Sequence, residues 1–145
     1  GDYQFVYYHG GDGNVTAVAG QLAYLAVSGT TTVPVYTVTQ DVDTATAINT
    51  EYTMAWGEFM SALTTGKYGW IKKRGLSANI SLTDGGVDTM GDMITAVATQ
   101  GAITGIAPGA SVVSPLIGFA LAADNVLTAT SMPAGKILWD FPGQE

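Results

Sequence analysis

The stretch "TTGKYGWIKKRG", residues 64–75, decides the fold class of this chain. Its Thr-Thr-Gly opening predicts a turn, and the residues that follow alternate in the manner of a β-strand, predicted over 68–73. Gly75 is expected to end the strand. The alternation divides the strand into two faces, one with Tyr68, Trp70 and Lys72, the other with Gly69, Ile71 and Lys73.

The same stretch holds four of the five Lys and Arg residues of the chain, at Lys67, Lys72, Lys73 and Arg74. Three consecutive cations at a strand end are typical of an exposed tip that discourages aggregation. The net charge of −7 disfavours nucleic acid and anionic membrane as partners. We therefore expect Lys72, Lys73 and Arg74 to contact an acidic protein surface, such as that of a neighbouring copy.

Strand-like alternation recurs along most of the chain, and only 12% of its residues are charged. Turn signals every eight to twelve residues favour an all-β protein, a small antiparallel β-sandwich or barrel. Residues 41–52 fit either a loop or a short helix. Residues 92–98 fit a strand or a helix, and the strand is favoured because the turn TQG follows. The other predicted strands lie at 3–8, 22–27, 33–39, 54–62, 76–82, 92–98, 102–106, 116–122 and 135–141.

Residues 1–13 differ from the single β domain predicted over 14–145, because both faces of the segment YQFVYY are apolar or aromatic. A strand of that kind must be covered on both sides. It fits an extended N-terminal arm on a neighbouring molecule or a central strand of the domain itself. In the arm interpretation, the contact residues are Tyr3, Phe5, Tyr7 and Tyr8.

The residues give little support to catalysis or metal binding. Cysteine is absent and His9 is the one histidine, so neither a transition-metal site nor any other cofactor is expected. No nucleophile-elbow or phosphate-loop motif occurs, and the chain is not expected to be an enzyme. Asp84, Asp88 and Asp92 lack the order of a calcium loop and are predicted to be solvated.

The three tryptophans, Trp56, Trp70 and Trp139, all fall in predicted strands, and Tyr68 lies beside Trp70. Packing in a core or an interface is the expected role of these rings. A platform for stacking sugar rings is the alternative.

Two segments resemble capsid decoration, or cement, proteins of tailed phages. The run "AWGEFMSALTTGKYGWIKKRGLSANI" (55–80) is similar to a part of small phage head proteins in which a YGW-type strand follows a turn. The run "PLIGFALAADNVLTATSMPAGKILWDFPG" (115–143) is similar to the closing pattern of decoration proteins, with a final strand ending near Pro-Gly.

The resemblance implies a structural protein of the virion, located on the outer surface of an icosahedral phage head. Its partner would be the major capsid protein, and the chain would form a homo-trimer or another homo-oligomer there. No catalytic residues come with this family. A head fibre base, a tail protein and a carbohydrate-binding β module remain as alternatives.

Overall fold

The computed structural model describes nine ranges of the chain, and every regular element within them is a β-strand. The described residues are 1–10, 16–25, 36–40, 55–77, 83–84, 90–96, 102–106, 116–121 and 137–141. The predicted all-β class is confirmed. Within these ranges there is no helix of the length and apolarity needed to cross a membrane.

Ten strands form one continuous sheet, and the first five close into a barrel. The ring runs β1, β3, β2, β4, β5 and returns to β1. All of its pairings are antiparallel except that of β1 with β3. The strands are Asp2–Tyr8 (β1), Leu22–Leu25 (β2), Thr37–Thr39 (β3), Ala55–Phe59 (β4), Tyr68–Leu76 (β5), Thr83–Asp84 (β6), Met93–Ala96 (β7), Ala102–Ile106 (β8), Leu116–Ala120 (β9) and Ile137–Asp140 (β10).

The N-terminal segment is a strand of the barrel, which corrects the expectation of an extended arm. β1 pairs with β5 from Asp2 to Tyr7, and its last two residues pair with β3. These two ladders satisfy the backbone of β1 within the chain itself. Of the two placements that the sequence left open, residues 2–8 adopt the strand within the domain, while residues 11–13 lie outside the described ranges.

The remaining strands form a second layer that continues from β5 in the order β10, β9, β7, β8, β6. β10 pairs with the end of β5, at residues 74–76. The layer folds back over the outside of β2 and β4, because Leu22, Tyr24 and Ala55 share one buried cluster with its inward side chains. Those side chains are Ile94, Ile103, Ile117, Ala120, Ile137, Trp139 and Phe141.

A second buried cluster fills the barrel and includes Val6, Tyr8, Phe59 and Ile71. β2 therefore contributes to both clusters, since Ala23 points into the barrel and its two neighbours point into the layer outside. Strands covered on both faces read as unbroken apolar runs, which explains the sequence LAYL of β2.

A buried hydrogen bond between two side chains joins the two layers. The indole Nε1–H of Trp139 in β10 donates a hydrogen bond of 2.9 Å to Oε2 of Glu58 in β4. Both residues are fully buried. A buried hydrogen-bonding group is costly to leave without its partner, so this contact stabilises the position of β10 over the barrel.

The interior of β5 contains the bend that permits this arrangement. Gly75 has a φ of 112° and still pairs with Trp139, so the strand continues to Leu76 instead of ending at the glycine. A Cβ at Gly75 would lie 3.1 Å from the Cα of Gly1, and its backbone conformation disfavours other residues. The predicted separate strand at 76–82 is therefore wrong at its start, and residues 78–82 lie outside the described ranges.

Most other predicted strands are confirmed, with shorter bounds. The ambiguous segment 92–98 contains a strand, β7, as expected. Residues 41–52, which fitted a loop or a helix, and Asp88 lie outside the described ranges.

Asp92 is buried rather than solvated, because its backbone pairs with Ala120 at the edge of β9.

Removal of residues 1–8 tests whether β1 closes the barrel. We expect the shortened chain to lose its cooperative urea transition, because β5 and β3 each lose a strand partner and the barrel core is opened. Phe5→Thr, a change on the outer face of the same strand, should keep the transition. If the shortened chain unfolds cooperatively with an unchanged m-value, β1 is dispensable and the arm interpretation returns.

Replacement of Trp139 by Phe tests the contact between the layers. We expect the free energy of unfolding to fall by about 2–4 kcal/mol, because a hydrogen bond to Glu58 is lost and a small cavity forms. Trp70→Phe is the matched control, since this exposed indole lies outside the core, and should change stability by less than about 0.5 kcal/mol. Equal effects of the two substitutions would contradict the role of Trp139.

Candidate docking face

The outer surface of β1 carries a line of aromatic side chains. Strand alternation sends Val6 and Tyr8 into the barrel and Tyr3, Phe5 and Tyr7 outward. Tyr8 was predicted as a contact residue of the arm, and this is wrong. It is fully buried and packs edge-on against Phe59 inside the barrel, with ring centroids 5.6 Å apart.

The outer surface of β5 carries a second line beside the first. Phe5 lies directly opposite Trp70, and Tyr7 lies opposite Tyr68. The ring centroids are 5.1 Å apart in the first pair and 5.2 Å apart in the second. We call Tyr3, Phe5, Tyr7, Tyr68 and Trp70 the aromatic face.

The exposure of these rings excludes one of the two roles expected for them. Tyr68 and Trp70 were predicted to pack in a core or an interface. Because 52% of Trp70 is exposed, it is not part of the core, and packing in an interface stays a prediction. The other two tryptophans are buried as predicted. The rings of the aromatic face pack mainly against one another across the two strands, which holds each in place while leaving its outer side open.

Lys72 and Lys73 do not form the exposed tip predicted for them, since only 8% and 4% of these residues is exposed. Nζ of Lys72 donates a hydrogen bond of 2.7 Å to the carbonyl of Leu76 and lies 5.7 Å from the centre of the Tyr3 ring. Long lysine stems cover apolar surface well, which explains how both cations fit.

Lys73 lies on the inner face of β5, as its place in the alternation requires. Its Nζ is 3.5 Å from the centre of the Trp56 ring and donates to the carbonyl oxygen of the same residue. The indole Nε1–H of Trp56 in turn donates to Oε1 of Gln4, at 2.9 Å. Burial lowers the pKa of Lys73 to about 8.

Arg74 is the one member of the predicted basic tip that is exposed. It lies 3.6 Å from Asp2 of β1 and 3.2 Å from Asp140 of β10, and all three side chains are more than half exposed. Exposed ion pairs stabilise a fold by little. These two ion pairs balance the charge locally, because Arg74 lies close to two carboxylates of its own chain.

Reactive groups do not converge near the aromatic face. Within the described ranges, no group of three or more His, Asp or Glu residues is placed to hold a metal ion. His9 follows β1 and is half-buried, and its Nδ1 has no hydrogen-bond partner in the part of the chain that the structure describes. The aromatic face can bind another molecule through contact of its rings with an apolar surface of that molecule.

The tilt of the rings bears on the kind of ligand that they fit. Phe5 and Tyr68 are nearly parallel, at 9°, but Trp70 is tilted by 59° to Phe5 and Tyr7 by 62° to Tyr68. A flat polysaccharide platform would present its rings in one plane, and these rings do not share one. The uneven surface formed here is better suited to interdigitation with side chains of a protein.

Comparison of the chain with protein-family models, with curated proteins and with solved structures found no match.

Sequence reasoning missed Tyr36, which is exposed and packs on Trp56 with ring centroids 5.6 Å apart. Its position in the sequence could have indicated this exposure. A residue that immediately precedes a buried strand lies at the edge of the core, so one side of its ring can remain exposed. It also missed the exposure of Leu76, because the expected end of β5 at Gly75 assigned this residue to another strand.

The lowered pKa of Lys73 predicts a specific pH dependence of stability. Between pH 8 and about 9.5, the unfolded chain holds a proton that the folded chain releases, so the free energy of unfolding should rise with pH. Above about pH 10 the effect reverses, because burial raises the pKa of Tyr24 and unfolding then releases its proton.

Urea unfolding at several pH values across this window measures the slope. Lys73→Met should flatten it, while Lys67→Met, at an exposed position on the same stretch, should leave it unchanged. An equal slope in the Lys73→Met variant and the unchanged chain would show that another group causes the dependence.

Proposed function

We propose that this chain is a structural virion protein that decorates the outer surface of an icosahedral phage head and stabilises it against the pressure of packaged DNA. The observation that carries the proposal is the aromatic face, displayed on a closed barrel. Tyrosine and tryptophan are enriched where proteins bind each other, because they combine a large apolar area with a polar tip.

The low charge of the chain supports the same function. A surface with few charges approaches another protein without a large desolvation penalty. The two segments that resemble decoration proteins contain β4, β5, β9 and β10, and these include two of the five residues of the aromatic face and the contact between the layers.

The proposed mechanism is thermodynamic and involves no reaction. A protein that binds the expanded head and not its compact precursor shifts the equilibrium toward the expanded shell by mass action. Each contact can be weak, because many copies on one lattice and several contacts per copy raise the overall strength of attachment. A homo-oligomer, such as a trimer, would add to this effect.

A carbohydrate-binding module is the second candidate, since Tyr68 and Trp70 expose rings of the kind that stack on sugars. The tilt between the rings favours the first proposal. A head fibre base or a tail protein would use the same surface at a few copies per particle, whereas a decoration protein would approach the capsid protein in number.

Co-sedimentation with purified heads tests the proposal. The chain should bind expanded heads built from the major capsid protein of the same genome, in numbers comparable to that protein, and should not bind the compact precursor. The double variant Phe5→Thr and Trp70→Thr should bind at least about 30-fold more weakly, because two central rings are removed.

Val18→Thr serves as the control, because Val18 is exposed, apolar and outside the aromatic face. Equal binding to both forms of the head would remove the link to expansion. Absence of binding to expanded heads, together with retention on polysaccharide beads and release by free sugar, would favour the carbohydrate module instead.

A further inference from the structure

An exposed apolar row crosses the outer surface of the second layer. Leu138 of β10 lies opposite Leu76 of β5 on one side and Phe119 of β9 on the other, and Met93 of β7 lies between Phe119 and Ile106 of β8. We call these five residues the apolar row. Leu76 is 54% exposed, Phe119 44% and Leu138 39%, while Met93 and Ile106 are half-buried.

The apolar row and the aromatic face belong to one surface. The outward side chains of β5 are Tyr68, Trp70, Lys72, Arg74 and Leu76, in sequence order. The first two belong to the aromatic face and the last begins the apolar row. Because the layer folds back over the outside of the barrel, its outer surface continues that of β5.

We propose that both patches form a single docking surface and that one partner protein, the capsid protein of the proposed function, covers them together. This inference rests on that function and extends its contact site from β1 and β5 onto β10, β9 and β7. The partner surface is expected to be apolar and low in charge over the whole area.

The area of the surface supports one partner that covers both patches. The four half-exposed rings Tyr3, Phe5, Tyr68 and Trp70 leave roughly 100 Å² each, so the aromatic face presents roughly 400 Å² and the apolar row roughly 250 Å². A stable interface buries about 800 Å² on each partner. The two patches together approach that value, and neither reaches it alone.

The charges between the patches support a neutral partner rather than a second copy. Lys72 and Arg74 are balanced by Asp2 and Asp140, with Arg74 paired to both carboxylates. The surface is therefore locally neutral, although the chain as a whole carries −7. Two copies of a chain with that charge repel each other at long range, and the balanced charges of this face offer no attraction to offset the repulsion, which disfavours self-association through this face.

The double variant Phe119→Thr and Leu138→Thr tests the inference, because threonine suits exposed strand positions and keeps the fold. In co-sedimentation with expanded heads we expect at least tenfold weaker binding. Val18→Thr should bind normally, and a cooperative urea transition for each variant shows that all are folded.

Hydroxyl-radical footprinting of the bound, unchanged chain gives a second readout, in which Phe119 and Trp70 should both be protected. If the apolar-row variant binds normally and Phe119 stays reactive while the aromatic-face variant loses binding, the inference is overturned and the proposed function stands. If the unchanged chain does not bind expanded heads, the function fails, and the inference fails with it. If ultracentrifugation shows that the apolar-row variant loses a self-association present in the unchanged chain, the row is an interface between copies.

Discussion

The structure depends on a single strand, β5, that has partners on both edges and different partners along one of them. β1 pairs with it from residue 68 to residue 74, while β4 at residues 71–72 and β10 at residues 74–76 follow each other on the opposite side. A strand of nine residues is long enough to offer both ladders. Closure of the barrel and attachment of the second layer therefore share one backbone, and the bend at Gly75 lets the two curve differently.

Polar groups are buried where these ladders meet, and each has a specific partner. The hydroxyl of Ser77 accepts a hydrogen bond from the backbone of Ile137, Glu58 accepts one from Trp139, and Lys73 donates to the carbonyl of Trp56. A shift of a strand by one residue would turn its apolar side chains to the other face, and these buried hydrogen bonds would be lost at the same time. These contacts therefore favour the observed arrangement of β10 over β4 and β5 relative to other arrangements that are equally compact.

The sequence was a good guide to what strand alternation controls and a poor guide to what the third dimension adds. The strands and the two faces of β5 follow from a period of two residues. The burial of Lys72 and Lys73 does not follow from this period. Their charge predicts exposure, but each long lysine stem packs over an aromatic ring, and this packing buries the side chain. The exposure of Trp70 was likewise hidden, since a large ring in a strand is usually core.

A register shift explains another difference. Strict alternation would place Ile117, Phe119 and Leu121 on one face of β9, yet Ile117 is buried and the other two are exposed. The pairing of β7 with β9 is irregular between Ile94 and Thr95, so β9 has an extra residue at this point and the face changes. Single-strand patterns contain no information on such bulges, because they arise from the fit of two strands.

Closure of the barrel also limits how a partner can bind at the aromatic face. Because residues 71–72 of β5 have a strand on each edge, an added strand cannot pair with β5 at this point. Contact with the middle of β5 then comes from side chains that project from a fixed sheet. Rings held by their cross-strand neighbours lose little conformational freedom on binding, which favours attachment through apolar area without any change of fold. A surface of that kind suits a protein that must bind the same site many times over on a repeating lattice.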